Sequence, residues 1–126
     1  MSAFSDVREI VPQRIWDGLV ARSVHGSEAT FAVLNLDPNI AVPEHAHANE
    51  QIGILLSGSV SFDVGGERKE LAPGAIWVIP PHVPHSVDAG PGGAAIIEIF
   101  APPRHDWAAH PELAPGTPSG FSLDNE

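Results

Sequence analysis

Residues 43–51 read PEHAHANEQ and place His45 and His47 two positions apart, with Gln51 four positions further on. In a β-strand, residues two apart point to the same face, so the two imidazoles project side by side. That separation lets both rings reach one ion at about 2.0–2.1 Å each. Gln51 has the same parity, so its amide oxygen can join them. Glu50 has the opposite parity and is kept as an alternative ligand, since an intervening bend would change which residue faces the ion.

Residues 80–85 read PPHVPH and add two histidines in a proline-rich turn. Proline fixes the φ angle, so His85 is presented at a defined angle at the entry to the next strand. A metal site in a β-protein needs ligands from different strands, and His85 supplies the second one. His82 sits at the apex of the turn and is expected to be solvent-exposed, because turn residues run over the surface.

The rest of the chain is divided into short segments by thirteen prolines and twelve glycines. Between these breakers lie apolar runs that predict strands at 19–24, 30–36, 40–42, 51–56, 60–64, 75–79 and 94–100. Short strands at this spacing indicate an all-β sandwich or barrel. At most a short helical turn is expected near the N-terminus or around His105–Ala109. The last residues, 111–126, predict a loosely ordered tail, or alternatively a lid in which Phe121 packs over a pocket or a neighbouring subunit.

Two groups of residues resemble the conserved motifs of the cupin family, and the resemblance extends from about Trp16 to Arg104. The first motif is matched by His45, His47, Glu50, Gln51 and Gly58, and the second by Pro73, Pro80 and His85. This resemblance implies an all-β double-stranded β-helix, or jelly-roll barrel, in a single cupin domain over residues 1–110. It also implies a divalent metal ion inside the mouth of the barrel.

The metal ligands implied by the resemblance are His45, His47, Gln51 and His85. Cupins usually offer a glutamate where this chain has Gln51. A neutral ligand leaves the site with about one more positive charge, which makes the ion a stronger Lewis acid. The chain has no cysteine, so thiolate ligands are excluded. Three imidazoles and an amide suit zinc, iron, nickel, manganese or copper to different degrees.

A third segment, residues 97–104, reads IEIFAPPR and places a glutamate in an apolar strand. Glu98 and Phe100 share one parity, and the pattern leaves two arrangements open: Glu98 faces solvent while Phe100 packs in the core at the strand end, or both residues lie inside the barrel. This ending resembles that of the small single-domain cupins that include the KdgF-type uronate-processing enzymes of pectin and alginate breakdown. The resemblance places Glu98 and Phe100 beside the metal, with Glu98 as an acid–base group. It implies that Arg104 binds a substrate carboxylate, with Phe100 as a further substrate contact.

The function implied by this resemblance is that of a metal-dependent lyase or isomerase acting on a small carboxylated, sugar-like substrate of the unsaturated uronate type. Those enzymes usually have an aspartate at the acidic position, and Glu98 is one methylene longer. The alternatives are a non-haem metal-dependent dioxygenase, a polyketide-cyclase-like cupin and a non-catalytic cupin that senses a small ligand.

The net charge of −10 argues against nucleic acid and against an anionic membrane surface as partners. The N-terminal residues lack a basic region followed by a long apolar run, so a cytoplasmic protein is the default expectation. The expected partner is a small-molecule substrate. The resemblance also implies a homodimer formed through sheet edges and the N-terminal strand. Trp16, Trp77 and Trp107 are expected to be packing residues, with Trp107 nearest the barrel mouth.

Overall fold

The fold consists of antiparallel strands and two 3₁₀ turns, in a computed structural model that describes residues 2–115 and 117. The strands are β1 (Gln13–Trp16), β2 (Leu19–His25), β3 (Thr30–Leu36), β4 (Ala41–His45), β5 (Glu50–Val64), β6 (Glu67–Leu71), β7 (Ile76–Ile79) and β8 (His85–Ala101). The 3₁₀ turns span Val7–Glu9 and His105–Ala109, where short helical turns are expected from the sequence.

Strand β8 connects the parts of the sheet. The strand order is β1-β2-β3-β8-β5-β6, while β4 also pairs with β8 and β7 also pairs with β5. The first residues of β8 pair with β4, residues 94–100 pair with β3, and β5 pairs with both parts. The result is an all-β jelly-roll barrel, as the sequence predicts.

Strand β3 covers the predicted residues 30–36, but the predicted break between 51–56 and 60–64 is wrong. Strand β5 runs through Gly58 with two register shifts against β8, one on each side of that glycine. Gly58 has a φ of 81°, and a Cβ at this position would lie 2.0 Å from the carbonyl oxygen of Gly93. A glycine therefore allows the two long strands to approach closely, rather than ending β5.

The end of the described chain lies along β1. The backbone N–H of Arg14 donates to the Pro111 carbonyl at 2.9 Å, and the N–H of Leu113 donates to the Pro12 carbonyl at 2.8 Å. Residues 111–113 therefore lie against the β1 edge, and the division at residue 110 between barrel domain and tail stays a prediction. The predicted lid residue, Phe121, lies outside the described residues.

The outer face of the sheet carries an exposed apolar row. Its members are consecutive partners across β2, β3, β8, β5 and β7, namely Val24, Phe31, Ile99, Ile52 and Val78. Each is between 39% and 56% exposed. The residues of the opposite parity face the barrel interior and form the core. Within the described residues, no helix has the length and apolar character needed to cross a membrane.

Candidate metal centre

Three histidines meet at one end of the barrel. His45 ends β4 and pairs with His85 at the start of β8, while His47 follows in the connection to β5. One ligand atom from each ring lies within 4.8 Å of one from each of the others. The structure therefore brings together the three histidines singled out from the sequence. His82 is exposed, as expected.

The backbone fixes which nitrogen of each histidine faces the centre. In all three rings Nδ1 lies within hydrogen-bond distance of a main-chain carbonyl oxygen: Pro43 for His45 (2.8 Å), Asn49 for His47 (3.0 Å) and Val83 for His85 (2.9 Å). A carbonyl oxygen can only accept, so in a neutral ring Nδ1 carries the hydrogen and Nε2 keeps its lone pair. An outer hydrogen bond of this kind orients histidines that bind metals.

The protonation of the cluster also favours metal binding. Burial, together with the neighbouring His45, His47 and Arg104, lowers the pKa of the His85 imidazole to about 4, although the hydrogen bond to the Val83 carbonyl opposes this shift. Burial, together with the Arg104 charge, also lowers the pKa of His47. The His85 Nε2 is buried and makes no hydrogen bond to any described residue. A neutral imidazole with an unpartnered, buried Nε2 fits a metal ion, which would satisfy that atom.

Gln51 faces the histidine cluster, and Glu50 does not. Gln51 is buried on the inner face of β5, whereas Glu50 is exposed. The amide nitrogen of Gln51 donates to the Glu98 carboxylate, so the amide oxygen points towards His47. The distance from Gln51 Oε1 to His47 Nε2 is 3.0 Å. With His47 neutral and protonated at Nδ1, two acceptors face each other there, which a cation would stabilise. The parity argument for Gln51 agrees with this placement, and its role as a ligand stays a prediction.

Glu98 lies inside the barrel rather than on the solvent face, and it is 5% exposed. Its inner-face partners across the sheet are Ala32 on one side and Gly53 on the other, both small residues. Burial raises the pKa of the Glu98 carboxyl, and hydrogen bonds from Trp77 and Gln51 partly oppose that rise. A buried carboxyl of this kind is suited to holding or moving a proton.

The contact that the sequence did not predict is made by Trp77. Its indole Nε1 donates to Glu98 Oε2 at 2.9 Å, so this residue does more than pack. Gly53 lies on β5, between strand β7, which carries Trp77, and strand β8, which carries Glu98. A Cβ on Gly53 would lie 2.5 Å from the indole ring. The only signal in the sequence is a glycine in the middle of an apolar strand, which often marks the close approach of another group.

Arg104 lies at the cavity next to Phe100, which is buried as predicted. Its guanidinium carbon is 5.0 Å from the centroid of the Phe100 ring and 4.8 Å from that of Trp107. Its Nε and Nη2 atoms each donate to the Asp106 carboxylate at 3.1 Å. The sequence did not predict this pairing, which occupies two of the nitrogens expected to bind substrate.

The centre opens into a cavity of about 230 Å³. Its polar lining residues are His45, Gln51, His85, Glu98, Arg104 and His110. Its apolar lining residues are Ile15, Trp16, Leu19, Leu34, Leu36, Val42, Pro43, Phe62, Val87, Ile96, Phe100 and Trp107. The position of Trp107 agrees with the expectation for the barrel mouth. His110 also lines the cavity.

Comparisons with known proteins agree with the fold. Residues 32–100 match the sequence profile of the family described as Cupin domain. Among solved structures, KdgF from Halomonas sp. has a TM-score of 0.76 at 25% identity, covering 84% of this chain and 98% of its own. An RmlC-like cupin from Shewanella frigidimarina has a TM-score of 0.78 at 26% identity, covering 84% of this chain and 96% of its own.

A curated relative carries the name of an isomerase. The H2HPP isomerase of Bacillus subtilis is 34% identical over 92 residues, which are 68% of this chain. The chain spans 39% of the length of that relative. The likeness therefore concerns a cupin-sized part of a longer protein.

Proposed function

The chain belongs to the cupin family, and we propose that it is a metal-dependent isomerase or lyase acting on a small carboxylated substrate. The observation that carries the proposal is that the Gln51 side chain contacts both the acid–base group and the histidine cluster. Glu98 accepts from the Gln51 amide, and the oxygen of that amide lies 3.0 Å from His47 Nε2. A proton-transfer group and a cluster that could hold a metal thus share one cavity.

The chemistry of the site divides between the ion and the protein. A divalent ion held by His45, His47 and His85 together with Gln51 would supply a Lewis acid that polarises a substrate carbonyl group. Glu98 removes a proton from the carbon next to that carbonyl, and the bonding electrons shift towards the carbonyl. Where the substrate also has a carbon–carbon double bond one position further from the carbonyl, Glu98 returns the proton to the far carbon of that bond, so the double bond moves and no oxidant is needed.

Glu98 is prepared for this role by its surroundings. Both of its hydrogen bonds, from Gln51 and from Trp77, are accepted by Oε2. These donors hold the carboxyl group in one orientation, with Oε1 left for the substrate. Because burial raises the pKa of Glu98, the protonated form after proton removal is less costly than for an exposed carboxylate.

Arg104 would hold the substrate carboxylate. Its Nε and Nη2 are paired with Asp106, so Nη1 is the nitrogen left to bind the substrate. The ring of Phe100 supports the guanidinium from one side. The positive charge matters because the chain as a whole carries a net charge of −10, which repels anions.

Two relatives support different parts of the proposal. Likeness to KdgF supports a substrate of the unsaturated uronate type. The name of the curated relative supports an isomerase, without defining the substrate of this chain.

The test is the exchange of substrate hydrogens with solvent deuterium, followed by NMR in heavy water with zinc-loaded protein. The two probes are an unsaturated uronate and phenylpyruvate. We expect the wild-type protein to exchange the hydrogen next to the carbonyl of at least one probe. Glu98→Gln should keep the metal and slow exchange by about 10²–10⁴-fold, the usual contribution of a general acid–base group.

Three results would contradict the proposal. Full exchange by Glu98→Gln would remove Glu98 from the reaction. Consumption of oxygen with iron-loaded protein, and no reaction with zinc in the absence of oxygen, would favour the dioxygenase alternative. Tight binding of both probes with no exchange would favour a ligand-sensing cupin.

A further inference from the structure

We infer that the natural substrate is a compact carbonyl acid rather than a polyhydroxylated sugar. Its head is the end that carries the carboxylate and carbonyl oxygens, and its body is the apolar remainder of the molecule. The position of the head, at the histidine cluster, rests on the proposed function. The apolar character of the body follows from the residues of the cavity wall. A cavity of about 230 Å³ limits the ligand to a small molecule.

The wall beyond Glu98 is formed by aliphatic side chains. Leu34 and Ile96 are cross-strand partners, and each lies two residues along its strand from the Ala32–Glu98 pair. Both are buried inside the barrel and line the cavity, as does Leu36 two residues further along β3. A ligand whose head lies beside Glu98 therefore extends its body along an apolar surface.

Few hydrogen-bonding positions in the cavity stay free beside the histidine cluster, among them Nη1 of Arg104 and the Trp107 Nε1, which is buried without a partner among the described residues. Both amide atoms of Gln51 and one oxygen of Glu98 are used within the site. Two nitrogens of Arg104 are used by Asp106. Among the described lining residues there is no serine, threonine, asparagine or aspartate.

This scarcity of partners disfavours a sugar. Each hydroxyl of a uronate gives up hydrogen bonds to water when it enters the cavity. A buried hydroxyl without a partner then costs binding free energy. An apolar body has no such requirement and gains free energy from leaving water. The carboxylate of the head can still bind to Arg104, and its carbonyl can still lie at the histidine cluster.

The experiment compares three probes that share a carboxylate and a carbonyl or masked carbonyl group: phenylpyruvate, pyruvate and glucuronate. Binding to the zinc-loaded full chain is measured by calorimetry and by the fluorescence of Trp16 and Trp107, which line the cavity. We expect phenylpyruvate to bind at least tenfold more tightly than either pyruvate or glucuronate. Equal binding of phenylpyruvate and pyruvate, or tighter binding of glucuronate, would overturn the inference.

A matched pair of variants tests the wall itself. Ile96→Val and Ile96→Thr have nearly the same size, and only the threonine adds a hydroxyl facing the cavity. We expect Ile96→Thr to bind phenylpyruvate at least fivefold more weakly than Ile96→Val, with equal binding of pyruvate and equal zinc content. Equal phenylpyruvate binding by the two folded variants would contradict the inference. If Ile96→Thr does not fold, the probe comparison on the wild-type protein decides.

The outcomes separate this inference from the proposed function. Tight phenylpyruvate binding without any deuterium exchange would retain the ligand class and reject the reaction. Exchange with the unsaturated uronate, together with weak phenylpyruvate binding, would retain the reaction and reject the apolar body.

Discussion

The Trp77 indole reaches Glu98 across an intervening strand, with Nε1 2.9 Å from Oε2. Gly53 is the cross-strand partner of both residues and lies between them. Since a Cβ on Gly53 would lie 2.5 Å from the indole ring, the hydrogen bond depends on the absence of a side chain at this position. The orientation of the buried carboxyl is thus determined by three strands together.

Gly53→Ala should displace Trp77 and remove a donor from Glu98. Forcing an extra methyl group into a packed core costs about 1–3 kcal/mol of the free energy of unfolding. Chemical denaturation followed by tryptophan fluorescence measures both the stability and the environment of the indole. Gly92→Ala is the matched control, because a Cβ there meets no atom within 4 Å. Equal stability of the two variants would show that the indole does not need the space above Gly53.

His85→Ala should lose the metal, whereas His82→Ala should keep it. His85 is buried with its Nε2 directed at the cluster, while His82 is exposed in the same turn. We expect about one zinc ion per wild-type chain and per His82→Ala chain, measured by elemental analysis after dialysis. His85→Ala should bind zinc at least 100-fold more weakly in a competition with a chelating dye. Undiminished binding by His85→Ala would exclude this histidine as a ligand.

The histidine parts of the site could be predicted because they depend on local rules. Strand parity places His45 and His47 on one side, and a proline-rich turn presents His85. The same parity places Gln51 inside and Glu50 outside. These features require no knowledge of which strands are neighbours.

The other contacts depend on register between distant strands, which the sequence does not display. Trp77 reaches Glu98 only because β7 and β8 flank β5 on its two sides. The pairing of Arg104 with Asp106 depends on the 3₁₀ turn after β8. Strand β6 was missed because its residues, ERKEL, are mostly charged and exposed, without apolar alternation.

Gln51→Glu should strengthen zinc binding and impair proton transfer. A carboxylate adds a negative charge beside the ion, but it has no N–H to donate to Glu98. The two carboxylates then repel each other, which raises the pKa of Glu98 further. We expect tighter zinc binding than in the wild-type protein and at least tenfold slower deuterium exchange. A variant that exchanges at the wild-type rate would show that the amide donor is not needed.

Asp106→Asn should free Arg104 for the ligand. In the wild-type protein, the Asp106 carboxylate accepts from two nitrogens of the Arg104 guanidinium, which holds the pKa of Asp106 below its usual 3.8. Without that pairing, we expect tighter binding of phenylpyruvate, measured by calorimetry at pH 7. Asp106→Ala serves as a second variant that removes all hydrogen bonding at this position. Weaker binding by both variants would mean that Asp106 orients Arg104 for the ligand.

The effect of Asp106→Asn on the free energy of unfolding should depend on pH. Because the folded-state pKa of Asp106 is depressed, its contribution to stability is present above pH 3.8 and is lost as the pH falls through the lowered pKa. The side chain is 64% exposed, so that contribution is small, about 0.2–1 kcal/mol for a pair of this kind. Denaturation curves of the wild-type protein and Asp106→Asn should differ at pH 7 and converge towards pH 2. A difference that persists at pH 2 would require another cause.

The exposed apolar row on the outer sheet face bears on the predicted homodimer. Five neighbouring strands each contribute one large apolar side chain to it, and none of the five is charged. Monomeric proteins rarely expose contiguous apolar patches larger than a few hundred Å². Two antiparallel sheets can pack face to face through such residues. The sheet edges and the N-terminal strand, which the family resemblance implies as the dimer contact, offer an alternative.

Single charge changes distinguish the two contacts. Ile99→Lys places a charge at the centre of the apolar row, whereas Arg14→Glu changes the β1 edge. If the row forms the dimer, light scattering coupled to gel filtration should give twice the chain mass for the wild-type protein and for Arg14→Glu. Ile99→Lys should then give the single chain mass, because a buried unpaired lysine is costly at an interface. A monomer produced by Arg14→Glu and not by Ile99→Lys would assign the contact to the edge, and a monomeric wild-type protein would reject the dimer altogether.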